Sequence, residues 1–313
     1  MPRAVSSRAL RAVSSRAPRA YSPRAERVEL PPGHRFPMHK YDQVAERLVV
    51  AGWDVLDAPD VEDEVLALTH DRGYLDAVAG CGLDARAERR LGVPQSPTLV
   101  RRSRVSVGGT VAAARSALDD GLGVQLAGGT HHAFRDRGEG FCVYNDLVVA
   151  ARALLAEGAV RRVLVVDLDV HQGNGTAALC AGDPRIATYS VHGDRNYPFL
   201  KERSDLDVPL ADGTGDVDYR AALDASLPAF ARAARPDLVI YQGGVDVLAG
   251  DRFGRLALSL DGVVERDRRV AAWCRDAGVP LVTTLGGGYH ADVDVTVAAH
   301  VAGLAAVAET LGV

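Results

Sequence analysis

Residues 161–175 read RRVLVVDLDVHQGNG. A run of Val and Leu bounded by charge is the pattern of a buried parallel strand. Such a strand does not ordinarily end in Asp-x-Asp-x-His. Asp167, Asp169 and His171 fall at alternate positions, so in extended chain they point to one side. Two carboxylates and an imidazole converging at the carboxyl end of a strand offer a divalent metal its first ligands. Solvation in a loop would account for one Asp. It accounts poorly for three ionisable groups on one face of an apolar strand.

The pattern of this strand recurs along the chain. Further buried-strand candidates occupy 124–127, 186–190, 238–241 and 281–285, beside 163–166. Ala-rich helical segments are predicted around 109–119, 146–157, 219–234, 262–277 and 293–310. Ahead of them, a Pro-rich loop over 30–41 is followed by an amphipathic stretch, DQVAERLVVAG, over 42–52. Alternating strand and helix predicts an α/β domain whose parallel sheet is covered on both faces. Ligands in that architecture bind where loops leave the carboxyl ends of strands.

Each strong motif sits at such an end. After VQLAGG come Thr130, His131 and His132, then RDRGEGFCVYND over 135–146. Adjacent histidines in a Gly-flanked loop suit a metal pair or an acid/base pair. After LVIYQGG comes Asp246, a candidate third ligand. After VTTLGGG comes Tyr289, whose hydroxyl could polarise a carbonyl once the glycines at 286–288 turn the backbone tightly.

Composition bounds the rest. With 313 residues, 47% of them hydrophobic, the chain can bury a large core. A net charge of −5 gives the domain no general pull toward nucleic acid or an anionic membrane, and no apolar stretch reads as a membrane span. Cys81, Cys142, Cys180 and Cys274 are widely spaced, which suits reduced thiols and a cytoplasmic location. Lysine occurs only as Lys40 and Lys201 while arginine is abundant, read as codon bias. Residues 1–20 stand apart: they repeat RAVSSRA and carry Arg without acid. This Arg/Ser/Ala content is like that of an organelle transit peptide, but a disordered tail or translated upstream sequence is the reading adopted. Residues 21–313 are expected to form one catalytic domain.

Taken together, His-His, Gly-Phe-Cys, Asp-x-Asp-x-His-x-Gly-x-Gly, Gly-x-Asp and Gly-Gly-Gly-Tyr resemble the zinc-dependent histone deacetylases and their bacterial relatives, in the arginase/deacetylase superfamily. DLDVHQGNG, GDRFG at 250–254 and Tyr197-Pro198 lean toward class IV. The resemblance implies a three-layer α/β sandwich with a central, mostly parallel eight-stranded sheet. It implies Zn²⁺, or Fe²⁺ in its place, on Asp169, His171 and Asp246, with catalytic roles for His131, His132, Tyr289, Asp167 and Asn174. His132 would be the general base and acid, His131 its electrostatic partner, Asp167 the carboxylate orienting His131, and Tyr289 the oxyanion donor. Gly140, Phe141, Tyr197 and Gly287 would meet the substrate. A structural K⁺ is implied beside Asp167, Asp169, His171, Ser190 and Val191.

Two departures are visible. Asn174 stands where many relatives have Asp, and Tyr197 where many have Phe. Neutral Asn174 stabilises a protonated His132 less than a carboxylate would.

The implied activity is hydrolysis of an acyl group, acetyl or longer fatty acyl, from a lysine side chain or related amine. The alternatives are an acetylpolyamine or small-metabolite deacetylase and a non-catalytic acyl-lysine binding module. Retention of Tyr289, both histidines and all three ligands speaks against the module. A two-metal ureohydrolase of the arginase type would need more carboxylates than these strand ends provide. Loops between Leu83 and Ser103 are expected to shape the rim.

Overall fold

The computed structural model describes residues 17–313. Eight strands form one sheet: β1 (Arg19–Ser22), β2 (Asp54–Asp57), β3 (Leu122–Gln125), β4 (Val163–Asp167), β5 (Ile186–Gly193), β6 (Leu206–Leu210), β7 (Leu238–Gln242) and β8 (Leu281–Thr284). Their order is β2-β1-β3-β8-β7-β4-β5-β6, and every pairing is parallel. The expected sheet is therefore present, wholly parallel.

The strand sequences explain the layers. All five residues of β4 are buried. Leu164 and Val166 pack into one apolar cluster, with α1 (Lys40–Val50), α8 (Asp216–Ala234), α9 (Leu260–Ala277) and α10 (Val293–Leu311). Val163 and Val165 pack into the other, with α2 (Asp63–Leu66), α3 (Arg72–Ala79), α4 (Ala85–Leu91), α5 (Pro97–Asp120), α6 (Asp146–Ala156) and α7 (Asn174–Cys180). A strand buried on both faces must be apolar at every position, as the Val/Leu run is.

Some boundaries differ from expectation for local reasons. Helix α5 begins at Pro97, twelve residues or so before the predicted segment. Pro97 fits the first helical position, and the Ser96 hydroxyl caps the Leu99 amide at 3.1 Å. Residues 1–16 lie outside the described residues, so the expected tail is addressed only at its end. There Arg19 and Ala20 belong to the sheet instead: β1 is inserted between β2 and β3, with Ala20 fully buried. One helix among the described residues, α10, is long and apolar enough to cross a membrane by length and composition, which the sequence reading did not anticipate. Half of its apolar window is buried, and it packs against α9 and α1.

The order β3-β8-β7-β4 places four strands side by side at the middle of the sheet. Those are the strands followed by His131-His132, Tyr289, Asp246 and Asp169/His171 respectively. Four motifs dispersed over some 160 residues of chain thereby meet at one edge.

Candidate active site

Strand β4 ends at Asp167, so Asp169 and His171 lie in a bent loop. The Asp169 amide donates to Asp167 Oδ1 at 3.2 Å, and the His171 amide to Asp169 Oδ1 at 2.9 Å. These side chain–backbone turns replace strand alternation. They also separate the three residues by task. Asp167 Oδ2 faces His131 Nδ1 at 2.6 Å. Asp246 takes the third position of the cluster, which simple alternation assigned to Asp167.

One potential ligand atom from each of Asp169, His171 and Asp246 lies within 4.8 Å of the others, and all three residues are buried. Asp169 Oδ1 faces His171 Nδ1 at 2.9 Å, while its Oδ2 accepts from Gln242 Nε2 at 2.8 Å and the Gly287 amide at 2.9 Å. Asp246 Oδ1 accepts from the Val170 amide at 2.9 Å. Its Oδ2 is buried without a hydrogen bond, lying 3.1 Å from His171 Nδ1 but outside bonding geometry. A buried carboxylate oxygen left bare beside a second carboxylate calls for a cation. Asp246 is raised by burial and by the charge of Asp169. Burial opposes a charge on His171, but the Asp169 and Asp246 carboxylates beside its Nδ1 carry it up to about 10. This donor set of two carboxylates and an imidazole, with room beside it, fits a single divalent metal.

His132 lies beside this cluster, its ring centroid 6.0 Å from that of His171. Its Nδ1 faces Asn174 Oδ1 at 2.7 Å. The amide of Asn174 is oriented from behind: Nδ2 donates to Glu139 Oε1 at 3.1 Å. An ionised carboxylate only accepts, so Glu139 fixes the Asn174 oxygen toward His132. Nδ1 of His132 must then carry the proton, leaving Nε2 as an acceptor. Burial, followed by the neighbouring His131 and His171, lowers His132 well below its ordinary value. His131 behaves oppositely: burial would lower it, but Asp167 raises it.

A cavity of about 720 Å³ opens onto the cluster, lined among others by His132, Gly140, Phe141, His171, Tyr197 and Tyr289. Burial holds the Tyr289 hydroxyl well above its ordinary range, so it stays a donor. Phe141 adopts φ 70°, a strained conformation for a bulky residue, and its amide is tied to Leu91 O at 2.7 Å. Gly140 has φ 55°, and an added Cβ would stand 2.7 Å from the His132 ring. The Gly140 carbonyl accepts from Cys142 Sγ at 3.4 Å. Tyr197 sits edge-on to His132 with centroids 5.0 Å apart, its hydroxyl donating to Glu139. Arg90, Leu91 and Gly92 also line the mouth, within the segment expected to form the rim.

Gly287 is placed differently from expectation. It stands against the Asp169 and Asp246 carboxylates and is not among the residues lining the cavity. A Cβ there would stand 2.0 Å from Asp246 Oδ2 and 2.6 Å from Asp169 Oδ2, so only glycine lets the loop pass this close. The K⁺ ligands expected from Asp167 and Ser190 are paired residues of adjacent strands.

Several working residues were not singled out by sequence reasoning. Lys40, fully buried, donates to Gly286 O at 3.0 Å and Gly288 O at 3.3 Å, pinning the loop that carries Tyr289. Burial lowers it to about 8, against the pull of Asp246, Asp169 and Asp251. Arg266, also buried, donates to Leu168 O at 3.1 Å and Gly244 O at 2.6 Å, clamping together the loops that carry Asp169 and Asp246. Asp251 accepts from the Tyr289 amide at 2.6 Å. Glu139 is the anchor of the Asn174–Tyr197 side. The rarity of lysine was a usable signal for Lys40, and Asp251 and Glu139 lie inside the quoted GDRFG and RDRGEGFCVYND stretches; Arg266 carries no such mark.

Residues 34–304 match the histone deacetylase domain family, and the chain belongs to that family. An uncharacterised protein of Picosynechococcus sp. is 41% identical over 275 residues, covering 87% of this chain and 92% of that one. Histone deacetylase 2 of Arabidopsis thaliana is 31% identical over 272 residues, covering 82% of this chain and 70% of that one. Among solved structures, the acetylpolyamine aminohydrolase of Burkholderia pseudomallei superposes with a TM-score of 0.79 at 20% identity, over 93% of this chain and 99% of that one. The HDA15 HD domain superposes with a TM-score of 0.73 at 24% identity, over 94% and 95% of the two chains. Both share the arginase/deacetylase fold. The chain is a deacetylase, a hydrolase of acylated amines, and it holds a buried Asp/His/Asp group able to bind a metal.

Proposed function

We propose that the protein is a single-zinc amidohydrolase that removes an acyl group, acetyl or longer, from a lysine side chain or related amine. The bare, buried Oδ2 of Asp246, grouped with Asp169 and with the His171 that lines a cavity also presenting His132 and Tyr289, carries this reading. Zn²⁺, or Fe²⁺ in its place, would be held by Asp169, His171 and Asp246, where it would acidify water and polarise the acyl carbonyl. The chain's own residues do the rest. His132 Nε2 takes the proton of the attacking water and delivers it to the leaving amine. Tyr289 donates its hydroxyl hydrogen to the developing oxyanion. His131, whose protonated form Asp167 favours against the cost of burial, adds positive potential beside the reacting centre. Phe141 and Tyr197 enclose the acyl-amine stem and exclude water. A structural K⁺ near Asp167 and Ser190, and a cytoplasmic location suited to four free thiols, belong to the same reading.

The test is a panel of acetyl, butyryl, octanoyl and myristoyl lysine peptides, with acetylputrescine, on enzyme reconstituted with Zn²⁺ or Fe²⁺. Alongside it, Asp246→Ala should lose metal by elemental analysis and activity with it, while circular dichroism shows the domain still folded. Full metal occupancy in that variant would sink the ligand assignment.

A further inference from the structure

The mouth of the active-site cavity is ringed by five arginines, Arg35, Arg90, Arg195, Arg252 and Arg255, all exposed. No carboxylate lines the cavity among the described residues. The chain as a whole carries a net charge of −5, so this mouth is a local reversal of sign. The arginines are also incompletely neutralised by their surroundings. Asp212 serves two of them, lying 3.6 Å from Arg195 and 3.2 Å from Arg255. Arg35, Arg90 and Arg252 have no carboxylate within 4.0 Å among the described residues. Arg252 donates instead to two neutral carbonyls, Tyr289 O at 2.7 Å and Arg35 O at 3.2 Å. The Arg35 guanidinium lies 5.6 Å from the centroid of the Phe253 ring, which keeps it at the rim.

An acyl-amine entering this cavity must bring whatever carries it against that ring. A cationic carrier, whether a polyamine or a basic peptide, would meet like charge with no carboxylate to receive its ammonium groups. An anionic carrier would find several guanidinium forks that match carboxylate or phosphate oxygens. Resting on the reading of the cavity as an acyl-amine site, we propose that the natural substrate is an acylated amine borne on an anionic carrier. Its carboxylate lies at the end of the stem away from the acylated nitrogen and docks on the arginine rim. The anion's source is either acidic side chains flanking an acyl-lysine or the carboxylate of a small acylamino acid.

The experiment uses the metal-loaded full chain and one acyl group throughout. Three acyl-lysine peptides differ only in flanking Asp, Ser or Lys pairs. A small-molecule arm compares Nα-acetyl-Nε-acyl-lysine as free acid and as methylamide, with an acylputrescine beside them. We expect kcat/KM to fall in the order Asp, Ser, Lys. At low ionic strength the span should be about tenfold or more, since focused surface potential changes encounter rates by roughly 10–10³. The difference should sit in KM, and shrink several-fold at about 0.5 M salt, where the Debye length falls to a few ångström. The triple variant Arg35→Gln, Arg90→Gln, Arg195→Gln should compress the span between the Asp- and Lys-flanked peptides. The salt series on the unmodified protein gives the same answer independently of the variant's folding. Preference among the peptides assigns the anion to a protein carrier; preference only for the free acid assigns it to a small molecule. Equal kcat/KM for Asp and Lys flanks at low salt, with no preference for the free acid, overturns the proposal while the deacylase reading stands. Acylputrescine as the best substrate overturns it too. No turnover of any substrate, the Ser-flanked peptide included, overturns both.

Discussion

Asn174→Asp probes the base directly, and its outcome depends on Glu139. The introduced carboxylate would keep one oxygen about where Oδ1 now stands, 2.7 Å from His132 Nδ1. An opposite charge at hydrogen-bond distance raises an imidazole pKa by roughly 1–3 units. Its other oxygen, however, would replace Nδ2, which lies 3.1 Å from Glu139 Oε1. Two carboxylate oxygens at that spacing share a proton rather than both ionise, which removes much of the new charge. Asn174→Asp alone should therefore shift His132 only modestly. Combined with Glu139→Gln, whose amide can donate to the new carboxylate, the shift should reach the full range.

The sign follows from the role of His132. Burial and the neighbouring imidazoles hold it well below its ordinary value, so at neutral pH it is unprotonated and competent as a base. Raising its pKa moves the acidic limb of kcat/KM to higher pH, and below that limb each unit costs about tenfold in rate. The assay is kcat/KM against pH for the unmodified protein, Asn174→Asp, Glu139→Gln and the double variant, with metal content measured in each. An acidic limb that stays in place in both Asn174 variants removes this hydrogen bond, and the base role of His132 with it, from the mechanism.

The remaining predictions concern the oxyanion and the clamp. Tyr289→Phe removes one hydroxyl while keeping the ring, and should lower kcat by about 10²–10³ with little change in substrate binding; turnover at the unmodified rate refutes the electrophilic role. His132→Ala should abolish most activity with metal content unchanged by elemental analysis, since His132 is not among the ligands; loss of the metal would show otherwise. Arg266→Met leaves buried Asp267 without its 2.8 Å ion pair and frees the Leu168 and Gly244 carbonyls. Urea denaturation should show a loss of about 3–5 kcal/mol, with a fall of roughly 10 °C in melting temperature. Retained stability would mean the two ligand loops hold themselves.

Much of this architecture was legible in the chain. The central strands carry unbroken apolar runs because both faces are covered, so β4, β7 and β8 stood out within a residue or two. The Asp169/His171/Asp246 group and Tyr289 were legible because each follows such a strand in a combination specific to the family. Edge strands β2 and β6, and β1 beside one of them, were not. They are short and half exposed, and β1 lies where Arg-rich sequence gives way to the domain.

The sequence by itself determined the fold class, the family and the set of chemically active side chains, because strand burial and loop chemistry leave local marks. Strand alternation left the division of labour open, and the geometry behind the roles that the family resemblance implied came only with the tertiary structure. Alternation could not tell that Asp167 turns to His131 while Asp246, from another strand, completes the metal group. Nor could it place Lys40 beneath Gly286 and Gly288, 246 and 248 residues away, or set Glu139 behind both Asn174 and Tyr197. Such contacts join residues distant in sequence, and their geometry exists only once the parallel sheet has fixed the strand order.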